Sequence, residues 1–571
     1  MNTKKIIEFL SQKEVKLFIS FLIIYVYFVN WYGWNEESHF ALTRAIVEEN
    51  RFEINSFYNL TGDRSTYEGH YYSDKSPGLS FLASPVYMVW KLVYYNLFPK
   101  SFIKIHTTGK EYITTFHGRI PIYTYINPGF FILNSMFLVT VFTSSVFSAL
   151  TVLLVYKIST KIVRGERRRI VITIAYALGT LAFPYALHFM SHAIATFFAF
   201  FAFYLLFNTK IMKIKRSQKN FLLAGLTVGF AVVVENFLII TIPLFLFYVF
   251  LLSTGKYHKN FSIFFSALIV GILPLIIYNY TIFGSPLEFA SAYIDRKIYR
   301  SAYHRTAFNF LSLKNIGSCS PSNQFVKYSF FSSLEQVFKY FHLIPNPNPY
   351  VIVRLLIGPY RGLIFYSPIL LLTFLGFYQI LKKHKQYKLE VVFIVTIFLS
   401  LLIFISMRSN WWGGYCFGNR YLTLIVPFLF VPILFVANKF NFKFIVLLVV
   451  LSIFINILGL QPPEDYAYDW NLMDMRSDWS EKQNSFQIFY NPLVEHYLPN
   501  FLDKGPRSPL FENVVNGYFS IDIRMPALSK GKYFPFSAFH MPFLCLLPLL
   551  TIIILFWVKE IKTSLEKTFN M

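Results

Sequence analysis

Two adjacent acids, Glu36 and Glu37, follow the first long apolar segment of the sequence. A third acid, Asp63, and the pair Asp74-Lys75 lie further along the same polar segment. A carboxylate can take the proton of an attacking hydroxyl, and a lysine ammonium can hold a phosphate oxygen by its charge. The combination predicts a reaction at a membrane surface in which a hydroxyl displaces a phosphate leaving group.

The three acids are alternative candidates for the catalytic base. Glu36 is slightly favoured because it lies nearest the membrane exit, and on a helix Glu37 would point about 100° away from it. Acids in the first turn of a helix also complement the helix dipole, so a purely structural role for the pair stays open. Asp74 and Lys75 are expected to bind substrate, because ionisable groups held at a bilayer are costly unless they serve a function.

A second polar and aromatic cluster runs from Trp411-Trp412-Gly-Gly to Gly-Asn-Arg420-Tyr. Aromatic rings pack well on sugar faces, and an arginine can bind phosphate through two parallel hydrogen bonds. The alternative is an aromatic belt at the membrane interface. We expect Trp411, Trp412 and Arg420 to contribute to substrate binding.

Four further residues are weaker candidates for the site. His188 and His192 are four positions apart, but no third metal ligand is evident, so we predict no metal site and expect a structural or substrate-contacting role. Arg361 opens an apolar segment, where it is expected either to reach the lipid headgroups or to contact the donor phosphate. Glu235 lies between two apolar segments. It is a candidate because an ionisable side chain in a membrane is energetically costly unless it serves a function.

The sequence as a whole is too apolar for an ordinary soluble protein. Hydrophobic residues make up 55% of its 571 residues and charged residues only 14%, and several apolar runs approach the roughly 18 residues that cross a bilayer. The net charge of +24 comes from basic loops between these runs, which is typical of cytoplasmic loops. Nucleic-acid binding is therefore not expected. The three cysteines form no CxxC pair, which argues against a disulfide framework.

Alternating apolar and basic segments predict an all-α polytopic membrane protein with about twelve spans and both termini in the cytoplasm. Segment 79–97 is apolar enough to cross, but its crossing would place the basic cluster 157–169 outside the cell. We therefore assign segment 79–97 to the first outer loop as a juxtamembrane or re-entrant segment. The predicted parts are a transmembrane module, 1–282, with a catalytic outer loop, 35–127; an outer loop, 283–361; transmembrane helices, 362–460; a second outer loop, 461–540; and a last helix with a cytoplasmic tail, 541–571.

The acid pair after the first span and the stretch Tyr-Tyr-Ser-Asp-Lys-Ser-Pro-Gly-Leu resemble the GT-C superfamily of membrane glycosyltransferases. The resemblance is greatest to family 39, which contains protein O-mannosyltransferases and lipid A aminoarabinose transferases. In that family an acid follows the first helix, and a Lys-Pro-Pro-Leu motif supplies a lysine to the lipid phosphate. The segment from Lys75 to Leu79 matches that motif with substitutions, whereas the usual Asp-Glu pair is Glu36-Glu37 here.

The resemblance implies inverting transfer of a sugar from a polyprenyl- or dolichyl-phosphate donor to a hydroxyl of a glycan, lipid or protein. The active site would lie on the extracytoplasmic face of the cytoplasmic membrane. Some superfamily members use a divalent metal and others do not, so no cofactor is inferred. Two other functions stay open: a transporter or flippase of a lipid-linked glycan, whose expected repeat symmetry is not evident, and a non-catalytic glycan-assembly protein.

Overall fold

The computed structural model describes residues 12–30, 33–97, 111–115, 118–122, 128–212, 218–253, 257–294, 347–408, 410–414, 416–460, 491–511 and 545–569. The described chain is mostly helical, as the sequence predicts. Most of the two long outer loops predicted at 283–361 and 461–540 lies outside the described residues.

The helices are numbered here in chain order. They are α1 (Lys13–Tyr27), α2 (Trp34–Arg44), α3 (Gly78–Leu97), α4 (Pro128–Thr140), α5 (Val146–Ile162), α6 (Glu166–Leu178), α7 (Ala182–Ala186), α8 (Ser191–Met212), α9 (Gln218–Val234), α10 (Ile242–Leu252), α11 (Tyr257–Phe283), α12 (Pro349–Ile357), α13 (Leu363–Tyr366), α14 (Leu371–Lys383), α15 (Lys388–Ser406), α16 (Val426–Val436), α17 (Phe442–Leu458), α18 (Leu498–Lys504) and α19 (Leu546–Phe569). Two antiparallel hairpins, β1 (Arg64–Tyr67) with β2 (His70–Ser73) and β3 (Glu111–Thr115) with β4 (Gly118–Ile122), correct the all-α prediction.

Several helices have the length and composition of membrane spans. Within the described residues, four are long and apolar enough to cross a membrane: Asn134–Ile162, Ser191–Lys210, His258–Phe283 and Lys385–Ser406. Large apolar side chains also lie on the outer surface of the bundle, such as Ile277 of α11 and Leu447 of α17, which are 59% and 63% exposed. Apolar residues on the outside of long helices are what a hydrocarbon environment requires. The chain is therefore a membrane protein.

Helices α9 and α11 pack closely through glycines. A Cβ atom at Gly229 would lie 2.4 Å from the carbonyl oxygen of Leu268, and one at Gly271 would lie 2.4 Å from the carbonyl oxygen of Leu226. Gly225 stands one turn before Gly229 on the same face of α9, in a GxxxG spacing. Small residues at this spacing allow two membrane helices to approach until their backbones touch.

The apolar segments 170–187 and 362–381 each have the length predicted for one span, but neither forms one unbroken helix, whereas segment 79–97 does. Segment 79–97 becomes the continuous 20-residue helix α3, which is not among the four long apolar helices. The predicted span 170–187 is interrupted, because α6 ends at Leu178 and α7 is a separate short helix. The predicted span 362–381 is divided by a turn at Pro368, where proline supplies no amide hydrogen to continue a helix.

Candidate functional site

The β1–β2 hairpin brings together two acids that are separated in sequence. Its register pairs Arg64 with Ser73, so Asp63 immediately precedes the open end of the hairpin on one strand and Asp74 immediately follows it on the other. The turn residues Glu68 and Gly69 both have positive φ, 47° and 82°, as two-residue turns that match the strand twist require. The hairpin therefore holds Asp63 and Asp74 opposite each other.

The Lys75 ammonium lies between these two carboxylates. Its Nζ atom is 2.7 Å from Asp63 Oδ2 and 3.2 Å from Asp74 Oδ1. The side chains of Lys75, Asp63 and Asp74 are 17%, 15% and 6% exposed. A cation held by two acids in a mostly buried position is a preorganised charge site, because bulk water screens it little.

Helix α2 attaches to the open end of the hairpin through Ser38. The Ser38 hydroxyl donates to the main-chain oxygen of Asp63 over 2.6 Å and lies 2.8 Å from the Ser73 hydroxyl. Thr61 ties the same segment to the start of α2 by donating to the Trp34 carbonyl over 2.7 Å. The helix that carries the acid pair is thereby fixed against the hairpin that carries Lys75.

The two adjacent acids of α2 have different surroundings. Glu36 is fully buried; its Oε2 accepts a hydrogen bond from the Gly33 amide over 3.0 Å, and its Oε1 lies 3.3 Å from His188 Nδ1. Glu37 is 4% exposed, and among the described residues its carboxyl group has no hydrogen-bond or ion-pair partner. A buried carboxyl group without a partner is costly in a folded protein, which makes Glu37 a candidate for a functional role.

Burial and neighbouring charges alter the pKa values of the cluster. Burial, with the carboxylates of Glu36 and Asp63, raises the pKa of Glu37 well above its ordinary value. Burial also raises the pKa of Asp74 to about 6, although Lys75 acts in the opposite direction.

The neighbouring basic groups respond to the same environment. Burial alone would lower the pKa of Lys75, but the carboxylates of Asp63 and Asp74 outweigh that effect and raise it. Burial and the charge of Lys75 lower the pKa of His39 to about 3. Lys75 is therefore charged and His39 neutral at physiological pH.

Two arginines from the segment after α15 lie near the cluster formed by Lys75, Asp63 and Asp74. The guanidinium groups of Arg408 and Arg420 lie over the Tyr421 ring, 4.8 and 5.2 Å from its centroid. Arg420 is near enough to Lys75 and Asp74 to affect their pKa values. Its buried Nε atom has no hydrogen-bond partner in the part of the chain that the structure describes.

The two candidate histidines point to different neighbours. His188 precedes α8 and contacts Glu36, whereas His192 lies in the first turn of α8 with its Nε2 atom 3.9 Å from Glu235 Oε2. Glu235 also accepts a hydrogen bond from the Ser191 hydroxyl. The described residues contain no group of three or more His, Cys, Asp or Glu side chains that could hold a metal ion.

Arg361 is buried within a loop and does not reach the surface. It is 1% exposed, and it donates hydrogen bonds to the main-chain oxygens of Cys416 and Gly414 over 2.6 and 3.3 Å. The position therefore corrects the prediction that Arg361 extends to lipid headgroups. Its contacts stabilise the glycine-rich loop that precedes Arg420.

The adjacent tryptophans are also buried. Trp411 and Trp412 are 4% and 9% exposed, and their rings are perpendicular with centroids 6.0 Å apart. The Asn419 side chain donates to the Trp411 main-chain oxygen over 2.7 Å. Within the described residues, the Trp412 indole nitrogen has no hydrogen-bond partner, so a polar substrate group could accept from it.

Sequence reasoning missed three residues of this site: Ser38, His39 and Arg408. Ser38 and His39 directly follow the acid pair, and Tyr421 belongs to the second cluster but was given no role. The hairpin has a local signal as well, since Glu68-Gly69 stands between aromatic and β-branched residues. Arg408 has no such signal and becomes visible only through its contact with Tyr421.

Comparison with known proteins gives similarity to solved structures only. No family model matches the chain, and no curated protein matches it. The apo oligosaccharyltransferase of Archaeoglobus fulgidus aligns with a TM-score of 0.44 and 13% identity over 82% of this chain and 56% of that chain. AglB of the same organism, in complex with an inhibitory peptide and a dolichol-phosphate, gives 0.42 and 13% over 81% and 56%.

A third solved structure is ArnT from Cupriavidus metallidurans bound to undecaprenyl phosphate. It aligns with a TM-score of 0.39 and 11% identity over 82% of this chain and 74% of that chain. The oligosaccharyltransferase and ArnT are both GT-C membrane glycosyltransferases. The present chain spans little more than half the length of the archaeal oligosaccharyltransferase.

Proposed function

We propose that this protein is a membrane glycosyltransferase that moves a sugar from a polyprenyl-phosphate donor to a hydroxyl acceptor. The observation that carries the proposal is the position of Lys75 between Asp63 and Asp74, in the same cluster as the unpartnered carboxyl group of Glu37. A phosphate leaving group needs a cation, and a hydroxyl nucleophile needs a base. This cluster supplies both.

The donor phosphate would bind at Lys75 and Arg420. Asp63 and Asp74 neutralise the ammonium of Lys75 in the free protein, and a phosphate oxygen would compete with them for it. The Arg420 Nε atom, which has no hydrogen-bond partner among the described residues, would donate to a second oxygen. Charge-assisted hydrogen bonds of this kind are stronger than hydrogen bonds between neutral groups.

Glu37 would act as the base. Both carboxylate oxygens of Glu36 already face Gly33 and His188, and Asp63 is ion-paired with Lys75, so geometry favours Glu37 over the sequence-based preference for Glu36. The acceptor oxygen would attack the anomeric carbon as Glu37 takes its proton. The bond between that carbon and the phosphate oxygen would break with its electrons going to the phosphate, and a single displacement of this kind inverts the anomeric centre.

The sugar and acceptor would bind near the polar groups of Glu235, His192 and Trp412. Glu235 and His192 are close to each other, and both ring nitrogens of His192 are buried without a hydrogen-bond partner among the described residues. The indole nitrogen of Trp412 provides a further donor. Polar groups of this type can bind the hydroxyls of a sugar ring and so set which sugar is accepted.

The proposal includes the predicted topology. About twelve spans would place both termini in the cytoplasm and the hairpin on the extracytoplasmic face of the cytoplasmic membrane. The module 1–282 would contain the catalytic outer loop 35–127, and helices in 362–460 would complete the site. The outer loops 283–361 and 461–540 would select a glycan, lipid or protein acceptor, and 541–571 would form the last helix and tail.

The first test is the identity of the bound lipid. Lipids extracted from the purified full-length protein and analysed by mass spectrometry should contain a polyprenyl-phosphate sugar. The lipid should be depleted in Lys75→Ala. It should be retained in Lys91→Ala, because Lys91 lies on α3 near Glu48, away from the cluster. A lipid that is equally abundant in both variants would contradict the proposed phosphate site.

A second measurement separates an enzyme from a flippase or an assembly protein. The identified donor is incubated with the purified protein, and transfer of its sugar to water or to a hydroxyl acceptor is followed. An enzyme should release the polyprenyl phosphate, and Glu37→Gln should abolish this release while still binding the donor. Donor binding without any release by the wild-type protein would favour the two non-enzymatic functions.

A further inference from the structure

A basic pocket of about 370 Å³ lies away from the candidate site. Its polar lining includes Lys161, Arg164, Arg168, His384, Asn438 and Lys439. Side chains of Ile162, Tyr387 and Phe435 form its apolar wall. Its volume falls within the range of about 300–1,000 Å³ that is typical of small-molecule sites.

The pocket and the candidate site lie at opposite ends of the same helices. Helix α5 begins next to Ser145, which donates to the Ala186 main-chain oxygen two residues before His188 of the site, and it ends at the pocket with Ile162. The segment from Arg420 through α16 likewise begins at the site and ends at Lys439. At a rise of 1.5 Å per residue, these helices separate the two places by about 25 Å.

Hydrogen bonds between its loops give the pocket a fixed shape. The Asn438 side chain donates to the Ile162 main-chain oxygen over 2.8 Å and accepts from the Arg164 amide over 2.7 Å. The Arg168 guanidinium donates to the Ala437 main-chain oxygen. The segments after α5 and after α16 are therefore joined, and their cations are held near one another.

No acid compensates the positive charge of this pocket. Within the described residues, its four Lys and Arg side chains form no ion pair, and no acid lines its wall. The acids nearest in sequence are engaged elsewhere: Glu166 with Lys13 at 3.2 Å and Glu390 with Lys210 at 2.7 Å. Burial, together with nearby Lys439, lowers the pKa of His384, as expected where positive charges repel a further proton.

We propose that this pocket binds a phosphate group at the end of the helix bundle opposite the candidate glycosyl-transfer site. Arginine guanidinium groups match the geometry of phosphate oxygens, and lysine adds charge. Basic pockets between membrane helices are typical binding sites for phosphorylated lipid headgroups. A soluble phosphate compound carries the same chemistry, so the ligand class is a phosphate-bearing anion from either source.

The test uses purified full-length protein and two probes. Cardiolipin binding is measured by native mass spectrometry with phosphatidylcholine as the neutral comparison, and inorganic pyrophosphate binding by calorimetry. The pocket variant is Arg164→Gln/Lys439→Gln, because both side chains are exposed and the main-chain bond of Arg164 is unaffected. The control variant is Lys385→Gln/Lys388→Gln, which removes the same charge from exposed residues at the same end.

The pocket variant should lose affinity for at least one probe by about tenfold or more, since it removes two cations that can form charge-assisted hydrogen bonds with phosphate. The control variant should bind like the wild-type protein. A loss confined to cardiolipin identifies a lipid headgroup, and a loss confined to pyrophosphate identifies a soluble ligand. Equal binding by all three proteins, or equal loss in both variants, would overturn the proposal. Single substitutions should show smaller losses in the same direction, which keeps the test valid if the double variant folds poorly.

Discussion

The Lys75 ammonium lies 2.7 Å from a carboxylate oxygen of Asp63, a residue on the opposite side of the β1–β2 hairpin. The contact exists because strand register aligns the two ends of the hairpin, and Ser38 then fixes that end to α2. The cation is thus compensated before any substrate arrives. This arrangement lets the protein keep a charged lysine in a mostly buried place at a tolerable cost.

Replacing Glu37 by glutamine should abolish sugar transfer while leaving donor binding intact. A positioned general base contributes typically about 10²–10⁴-fold to rate, so the turnover number should fall by at least about 10²-fold. Transfer and donor affinity are measured on the same purified protein. Glu36→Gln is the matched control and should show mainly lower stability, because Glu36 accepts the Gly33 amide bond. Full activity in Glu37→Gln with loss in Asp63→Asn would assign the base to Asp63.

The pH dependence of transfer should reveal the environment of Glu37. Burial and two neighbouring acids raise the pKa of Glu37 well above its ordinary value. A base works only when deprotonated, so kcat/KM should rise as pH increases through this raised pKa and should be lost below it. The control is Asp63→Asn, which removes one of the neighbouring charges and should shift the acidic limb to lower pH. An acidic limb at the ordinary glutamate value would contradict this assignment.

Replacing Lys75 by alanine should weaken donor binding by roughly ten- to a hundredfold, because a hydrogen bond to a charged group contributes about 1.5–3 kcal/mol. Lys75→Arg should retain part of the affinity, since it keeps the charge but changes the geometry. Calorimetry with a short-chain polyprenyl methyl phosphodiester measures this binding. Lys91→Ala serves as the control. Unchanged affinity in Lys75→Ala would leave Arg420 as the phosphate anchor.

Donor binding should strengthen as pH falls from 7.5 to 5.5. The pKa of Asp74 is raised to about 6, so Asp74 becomes neutral over this range and stops competing with the phosphate for Lys75. Binding of an anion therefore favours the protonated form of Asp74. The phosphodiester probe keeps one negative charge throughout this range. Any change of its affinity with pH, measured by calorimetry, therefore comes from titration of the protein. Asp74→Asn should bind equally at all of them, and a persistent pH dependence in this variant would implicate Glu37 instead.

Replacing Ser38 by alanine should loosen the hairpin from α2. The partly buried Asp63 main-chain oxygen loses the Ser38 donor, a change that costs about 1–3 kcal/mol of stability. Transfer should fall because Lys75 and Glu37 are then held less firmly relative to each other. Thermal unfolding and transfer are both measured. Ser84→Ala is the control, since Ser84 bonds within α3, and equal effects in the two variants would remove the positioning role of Ser38.

Cysteine labelling should place the hairpin and the basic pocket on opposite sides of the membrane. In a cysteine-free background, Glu68→Cys at the exposed hairpin turn should react with an impermeant maleimide added to intact cells. Arg164→Cys, also exposed, should be protected until the cells are permeabilised. In the wild-type protein, Cys416 and Cys545 are buried and are expected to react poorly with the maleimide. Labelling of Arg164→Cys from outside would reverse the proposed orientation.

The sequence by itself established the class of protein and the residues to consider. Apolar runs and basic loops depend on local composition, so they predict membrane helices without knowledge of the fold. Glu37, Lys75 and Arg420 are also candidates from the sequence, because their residue types and neighbours indicate phosphate and proton chemistry. Asp63 is only one of three candidate bases in the sequence, since its distance from Lys75 depends on a hairpin that the sequence prediction does not include.

Tertiary structure decided which of these residues meet and what each can do. Glu36 and Glu37 look equivalent in sequence, but contacts with Gly33 and His188 engage only Glu36. Arg361 and Arg420 both looked like phosphate ligands, yet Arg361 is bonded within a loop. These differences arise from contacts between segments far apart in the chain, which a local pattern does not encode. The basic pocket is likewise formed only when the ends of α5, α14 and α16 pack together.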